Sequence, residues 1–356
     1  MTMMLTQRNV QTVHHRFRGM IDNRSAEVLM EEEIEKHTKR GKKTILYVGI
    51  AYDYGRRNMG LSYEHYHFYH TLLRMDYSLV YFAYDKIKQR FGNEKMSKIL
   101  RETVYTYQPE ILFYLHFHDW ISHDLIREIP EELPTKTVIW LTDDQVDYEL
   151  ERPVWELFNL AVTTDRKGYE RRKEEGFNNV FLSQWACNHH LFKKLGLPKI
   201  YDVCFVGRCY GERKVFIEKL RQKGINIVAF GLGWENSDRL AQLDLVEIFN
   251  QSKIVLDISA SSRDSSVLQI KGRIFEATGC GSLLLTKDER QIADYFIPSE
   301  ELVTYQDADD AAEKIKYYLA NEDERERIAR TGYERVLKEH TWEKRLSDIF
   351  EYALRV

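Results

Sequence analysis

Apolar residues gather in short β-rich runs from Thr44 onward, and each run is followed by a stretch with helical spacing. TILYVGIAY, bounded by Lys43 and the turn at Gly55, reads as a strand buried on both faces. The stretch Ser62–Met75 puts Tyr63, Tyr66, His67, His70 and Leu73 near one helical face. SLVYFAY, ILFYLHF from Ile111, TVIWLTDD, LAVTT and VFLSQWA predict further strands. Residues 94–107, LIREI and KGYERRKEEG predict the helices between them. Strands alternating with helices imply a parallel sheet with helices on both faces.

The pattern then restarts. YDVCFVG, INIVAFG, KIVLDIS and SLLLT predict strands. ERKVFIEKLRQKG, LDLVEIFNQS, LQIKGRIFEATGCG, ADDAAEKIKYYLAN and DERERIARTGYERVLKEH predict helices, and TWEKRLSDIFEYALRV an amphipathic last one. The expected fold class is α/β, with two Rossmann-like domains facing a cleft. The expected boundaries are a polar extension 1–42, a first domain 43–195, a second domain 196–338 and a final helix 339–356. The linker is expected near Phe192–Ile200, where KKLGLPK combines Gly and Pro. Ligands of open α/β sheets sit outside the carboxyl ends of the strands, so the cleft is the default site.

Composition narrows the classes. The chain has 356 residues, enough for about two domains, and 30% of them are charged. A formal net charge of -4 argues against a nucleic-acid binder. The four cysteines, Cys187, Cys204, Cys209 and Cys280, form no CxxC pair and no zinc spacing. The N-terminal residues lack the apolar core of a signal peptide, and no run suffices for a membrane helix, so a soluble cytoplasmic protein is expected. Residues 1–42 carry EEEIEK and then HTKRGKK, with Ser25 as a potential cap. They read as a solvated extension, with a partner or an anionic membrane surface as the alternative.

Five stretches can carry chemistry. In FVGRCYGERK, a strand ends, a turn at Gly207 follows, and a helix begins near Glu212. Arg208 and Arg213 flank that turn, where guanidiniums and helix N–H groups suit phosphate. An ordinary strand-turn-helix connection is the alternative. In KGRIFEATGCGSLLLT, Glu276 can accept hydrogen bonds from vicinal ribose hydroxyls. Lys271 and Arg273 can neutralise a diphosphate, and Gly279 and Gly281 can admit close backbone approach. The alternative is a helix stopped by glycine. LHFHDW offers His118 and Asp119 at a strand end, either as sugar-facing groups or as a satisfied polar end. WLTDDQVDYE offers Asp143 and Asp144, as an Asp pair for a metal, for acceptor binding or base chemistry, or for helix capping. YDYGRRNMGLSYE forms a glycine loop with Arg56, Arg57 and Glu64 as candidates.

The C-terminal half resembles the CgeB-type, spore-maturation-like glycosyltransferases. The resemblance rests on Arg273, Phe275, Glu276 and Ala277, on Glu301 to Leu319, and on Arg327, Ile328, Ala329, Gly332, Arg335, Val336, His340 and Thr341. It covers residues 200–345 well and 44–195 more loosely. It implies a GT-B enzyme moving a sugar from a nucleotide-sugar donor, by family habit a UDP-sugar, to an unidentified protein, glycan or small-molecule acceptor. It further implies that no metal is used, that Glu276 holds the ribose, and that Arg208 and Arg213 contact the diphosphate. It also implies that the last helix returns to the first domain. LHFHDW is similar to an element of glycogen-synthase-like enzymes, which implies that His118 faces the transferred sugar. Wider retaining GT-B enzymes carry a second glutamate, at a position occupied here by Leu268. That departure keeps two other readings open: a non-catalytic binding or structural protein, and a nucleotide-sugar epimerase.

Overall fold

The computed structural model describes residues 37–356 apart from 119, 143, 236, 238, 260–266 and 289. Asp119, Asp143 and residues 1–36 of the polar extension therefore lie outside the described residues, as does the side chain of Asp144.

The first sheet has six parallel strands: β1 (Thr44–Gly49), β2 (Ser78–Ala83), β3 (Ile111–His116), β4 (Lys136–Leu141), β5 (Leu160–Thr163) and β6 (Val180–Leu182). Their order is β2-β1-β3-β4-β5-β6. The second sheet contains β7 (Tyr201–Val206), β8 (Ile227–Phe230), β9 (Ser252–Asp257), β10 (Leu283–Lys287) and β11 (Val303–Tyr305), in the order β11-β10-β9-β7-β8. Both sheets start with the same doubly wound order, and each has its switch point between its first and third strands. The strands are apolar on both faces because helices cover both sides. In β3, for example, all six residues are buried.

The crossover helices of the first half are α1 (Tyr84–Phe91), α2 (Asn93–Tyr107), α3 (His123–Glu132), α4 (Asp144–Trp155) and α5 (Arg166–Glu174). Those of the second are α6 (Arg213–Gln222), α7 (Gln242–Asn250), α8 (Gly272–Gly279), α9 (Ala308–Ala320) and α10 (Glu322–Glu339). Their starts are set by short polar caps. The Asp165 carboxylate accepts from the N–H groups of Lys167 and Gly168, and the Asp307 carboxylate from those of Asp309 and Asp310.

The last helix, α11 (Trp342–Ala353), is capped by Thr341 and buries Trp342, Leu346, Ile349 and Phe350 in the core of the first sheet. Trp342 meets Phe68 edge-on at 4.5 Å and Trp140 at 5.4 Å. Such pairs add to simple area burial.

Several local features depart from the sequence reading, among them the helix α4 over Asp144–Trp155. The stretch His65–Tyr69 is a π-helix, which buries the consecutive residues His67, Phe68 and Tyr69. An ordinary turn spreads three consecutive side chains around the axis; here sheet, α11 and second domain enclose the segment on several sides. Tyr84–Phe91 forms the unforeseen helix α1, and Val303–Tyr305 the unforeseen edge strand β11. Three residues are too few to establish a period.

Candidate functional site

The carboxyl ends of the two sheets face one cleft. Asp53, Phe117, Thr142, Thr164 and Trp185 line it from the loops after β1, β3, β4, β5 and β6. Gly207, Gly231 and the segment Gln269–Arg273 line it from the loops after β7, β8 and β9. The cleft divides into two adjoining cavities of about 350 and 260 Å³. Tyr54, Tyr63, Lys271 and Gly272 border both.

The larger cavity is cationic. Arg208, Arg239, Lys271 and Arg273 line it, with Glu276 as the acidic group. Gly207, at the end of β7, explains how the arginines come together. A Cβ built there would stand 2.9 Å from Arg273 Nη2 and 3.2 Å from Arg213 Nη1. The missing side chain thus leaves room for two guanidiniums beside the backbone. Arg273 is fixed by Asp257 at 3.0 Å. Asp257 is fully buried and accepts further from Ser259 Oγ at 2.6 Å and Thr286 Oγ1 at 3.1 Å. Arg213 is buried and donates to the carbonyls of Arg208 and Ile258 at 3.1 and 3.0 Å. Burial, and then the charge of Arg273, push its pKa down to about 10. Arg213 therefore braces the turn that carries Arg208, while Arg208 itself is exposed at the cavity.

Glu276 lines the same cavity although it is only 3% exposed. Its Oε1 stands 2.8 Å from Nε2 of His67, which belongs to the first domain. Neither atom has an in-line hydrogen bond, so the contact is one of ion-pair distance rather than of good hydrogen-bond geometry. Gly272 opens α8 directly beneath the Tyr63 hydroxyl, where any Cβ would collide. Gly279 and Gly281 stand elsewhere. Gly279 packs on Cys187, and Gly281, at φ +75°, packs under the Lys194 side chain. Both close the far end of α8 against the linker rather than the cavity.

The smaller cavity mixes acids, hydroxyls and amides (Asp53, Glu64, Thr142, Gln145, Thr164, Gln269) with Tyr54, Tyr63, Phe117 and Trp185. Its β1 loop is pinned by Asp85, whose carboxylate accepts from the N–H groups of Ala51 and Tyr52, each at 2.9 Å. Asp53 then forms an ion pair with Arg239 across the cleft. His118 sits beside this cavity rather than on its wall. Its ring stacks on Trp120 at 4.3 Å, and burial, then Lys88 and Arg56, lower its pKa. Phe117, one residue earlier, takes the place on the wall. Arg56, Arg57 and Leu268 are likewise not on the cavity walls, whereas Glu64 is.

Sequence reasoning missed His67, Tyr63, Gly272, Arg239 and Asp257 as site residues. Gly272, within KGRIFEA, carries a readable signal as a glycine at a helix start beside a candidate phosphate group. Among the described residues, the group suited to holding a metal ion is His189, His190 and Glu343, at the linker and not in the cleft. No described helix is long and apolar enough to cross a membrane.

Two facing Rossmann-like domains, with the last helix returned to the first and a cationic cleft between their strand ends, define the GT-B glycosyltransferase frame. Residues 213–351 match the family described as Glycosyl transferase-like. The chain therefore carries a glycosyltransferase domain and is an enzyme of that class. Spore protein CgeB of Bacillus subtilis (strain 168) is 21% identical over 252 residues, covering 64% of this chain and 76% of that protein. Among solved structures, sucrose-phosphate synthase from Thermosynechococcus elongatus superposes with a TM-score of 0.59 at 11% identity, covering 88% of this chain and 99% of that one. Anabaena HepE, in complex with UDP and glucose, gives 0.59 at 12% identity over 88% and 100% of the two chains.

Proposed function

We propose that this enzyme transfers a sugar from a nucleotide-sugar donor, a UDP-sugar in the first instance, with the donor in the larger cavity and the acceptor in the smaller. The observation that carries the reading is the pairing, in one cavity, of Glu276 with the cationic group Arg208, Lys271 and Arg273. A carboxylate accepts from ribose hydroxyls, and cations and a helix start accept a diphosphate. Leu240 and Leu245 give that cavity an apolar end suited to a base. HepE, a neighbour on the same fold, has been crystallised with UDP-glucose, which supports UDP as the nucleotide.

In this reading the acceptor hydroxyl attacks the anomeric carbon, the bond to the diphosphate breaks, and the hydroxyl proton passes to the departing diphosphate. Arg208, Lys271 and Arg273 stabilise the charge that develops on the leaving group, without a metal. Arg213 acts by holding the Gly207–Arg208 turn. Glu64 is the buried carboxylate of the acceptor cavity, and His118 belongs to the same end through its neighbour Phe117. The mixed aromatic and polar wall of that cavity suits a sugar-like acceptor. Closure of the cleft excludes water and limits donor hydrolysis.

The test is chromatographic. UDP-sugars incubated with the full chain and a panel of acceptors are expected to release UDP, with a slow background release when no acceptor is present. Glu276→Ala is expected to abolish both. Reversible conversion of the donor without acceptor would instead establish an epimerase. Tight nucleotide binding without any turnover would establish a binding protein, the reading that Leu268 motivates.

A further inference from the structure

His67 is a fully buried histidine of the first domain placed against the donor cavity of the second. Its ring is held between Tyr63, stacked at 3.9 Å, and Phe192, stacked at 5.4 Å, so it has little freedom to turn. Nε2 lies 2.8 Å from Glu276 Oε1 without in-line hydrogen-bond geometry, and Nδ1 is buried without a hydrogen-bond partner. Among the described residues, His67 is the only side chain in an ion pair or hydrogen bond with the Glu276 carboxylate. A buried polar ring in this position needs an explanation, because burying polar atoms without satisfied bonds is unfavourable. The π-helical turn that brings it there is a form often found at functional sites.

We infer that His67 is the positioning residue for recognition of the donor's ribose: from the opposite domain it fixes the Glu276 carboxylate, so that the ribose site is complete only when the two domains are apposed. The inference rests on the reading of Glu276 as the ribose anchor. With Oε1 buried against the imidazole, Glu276 meets the cavity through its other oxygen, whose lone pairs accept from the two vicinal hydroxyls. Gly272 belongs to the same device. The absence of its side chain lets Tyr63 lie over the start of α8, and Tyr63 in turn covers His67. Specificity for a ribonucleotide is thereby tied to closure of the cleft.

Calorimetric titration of the full chain with UDP, 2′-deoxy-UDP and UMP separates this role from a structural one. The wild type is expected to prefer UDP over 2′-deoxy-UDP by about tenfold, the scale of one hydrogen bond to a charged group. His67→Leu is expected to lower that preference to about twofold or less while leaving the UDP-to-UMP ratio unchanged, because the phosphate contacts are untouched. His67→Gln keeps an N–H near the position of Nε2 and is expected to restore most of the preference. Retention of the full ribose preference by His67→Leu would overturn the inference, as would equal loss of both ratios, which marks a purely structural residue. Failure of the underlying reading has a different signature: Glu276→Gln would then leave the ribose preference of the wild type intact.

Discussion

At Gly207 a single absent carbon shapes the arginine-lined end of the larger cavity. Gly207→Ala would bring a methyl group to 2.9 Å from Arg273 Nη2 and 3.2 Å from Arg213 Nη1, and one guanidinium must move. The expected result is UDP binding weakened by about tenfold with stability lowered by only about 1 kcal/mol, read by calorimetry and urea unfolding. Asp257→Asn is expected to act in the reverse proportion. It removes the charge facing Arg273 inside a fully buried hydroxyl network and should cost about 3 kcal/mol in the same unfolding experiment. Arg208 and Lys271 were legible as candidates because each is a charged residue beside a glycine at a strand–helix junction, and Glu276 because it stands on a helix that ends at a glycine pair and matches the element that carries the family resemblance. His67 was not, because a histidine on an aromatic helical face reads as core, and its partner is more than two hundred residues away in sequence. His118 reads as a sugar contact from its motif, yet one step along the chain decides which side chain meets the cavity, and that place belongs to Phe117.

At the scale of elements, the buried apolar runs were readable even when short, while the twelve-residue helix α4 was not. The buried strands β1, β3, β7 and β9 announce themselves as uninterrupted apolar runs. The edge strand β11 does not, and neither does the π-helical turn, whose extra residue leaves no periodic trace over five residues. The close packing of α10 on α8 and the loop before β11 is also hidden in sequence. Gly332 lies directly against the Glu301 carbonyl, and Thr278 Cγ2 would be 2.9 Å from its Cβ. Gly332→Ala is expected to cost about 3 kcal/mol, because backbone rather than a flexible side chain must yield.

The junction before α11 carries a pH dependence. His340 Nε2 lies 2.7 Å from the Tyr295 carbonyl and its Nδ1 2.9 Å from Arg345 Nη2, so the neutral ring donates to the first and accepts from the second. Burial, then Arg345, lower its pKa from 6.5 to about 4. The folded value lies below the unfolded one, so this stability is present above pH 6.5 and is lost as pH falls toward and through about 4. The shift corresponds to roughly 3 kcal/mol. His70, also lowered to about 4, mainly by burial, acts in the same direction. Thermal unfolding between pH 7.5 and 5 should show the decline, and His340→Gln should make it shallower.

For the whole molecule, the restarted α/β pattern was visible in the sequence, whereas the strand order common to both sheets emerges only in the structure. What the pattern could not convey is how the halves are joined across the cleft. Asp53 pairs with Arg239 across the cleft, and His67 with Glu276. Two contacts between residues far apart in the chain make the larger cavity a property of both domains together. The central proposal is that this cavity takes a nucleotide-sugar through Glu276. Thermal unfolding of the full chain with UDP-glucose at about a hundredfold excess over its dissociation constant tests it directly. The expected stabilisation is about 2.7 kcal/mol, seen as an upward shift of several degrees and absent in Glu276→Ala. An identical shift in Glu276→Ala, or no shift of the wild type with any nucleotide-sugar, would contradict the account.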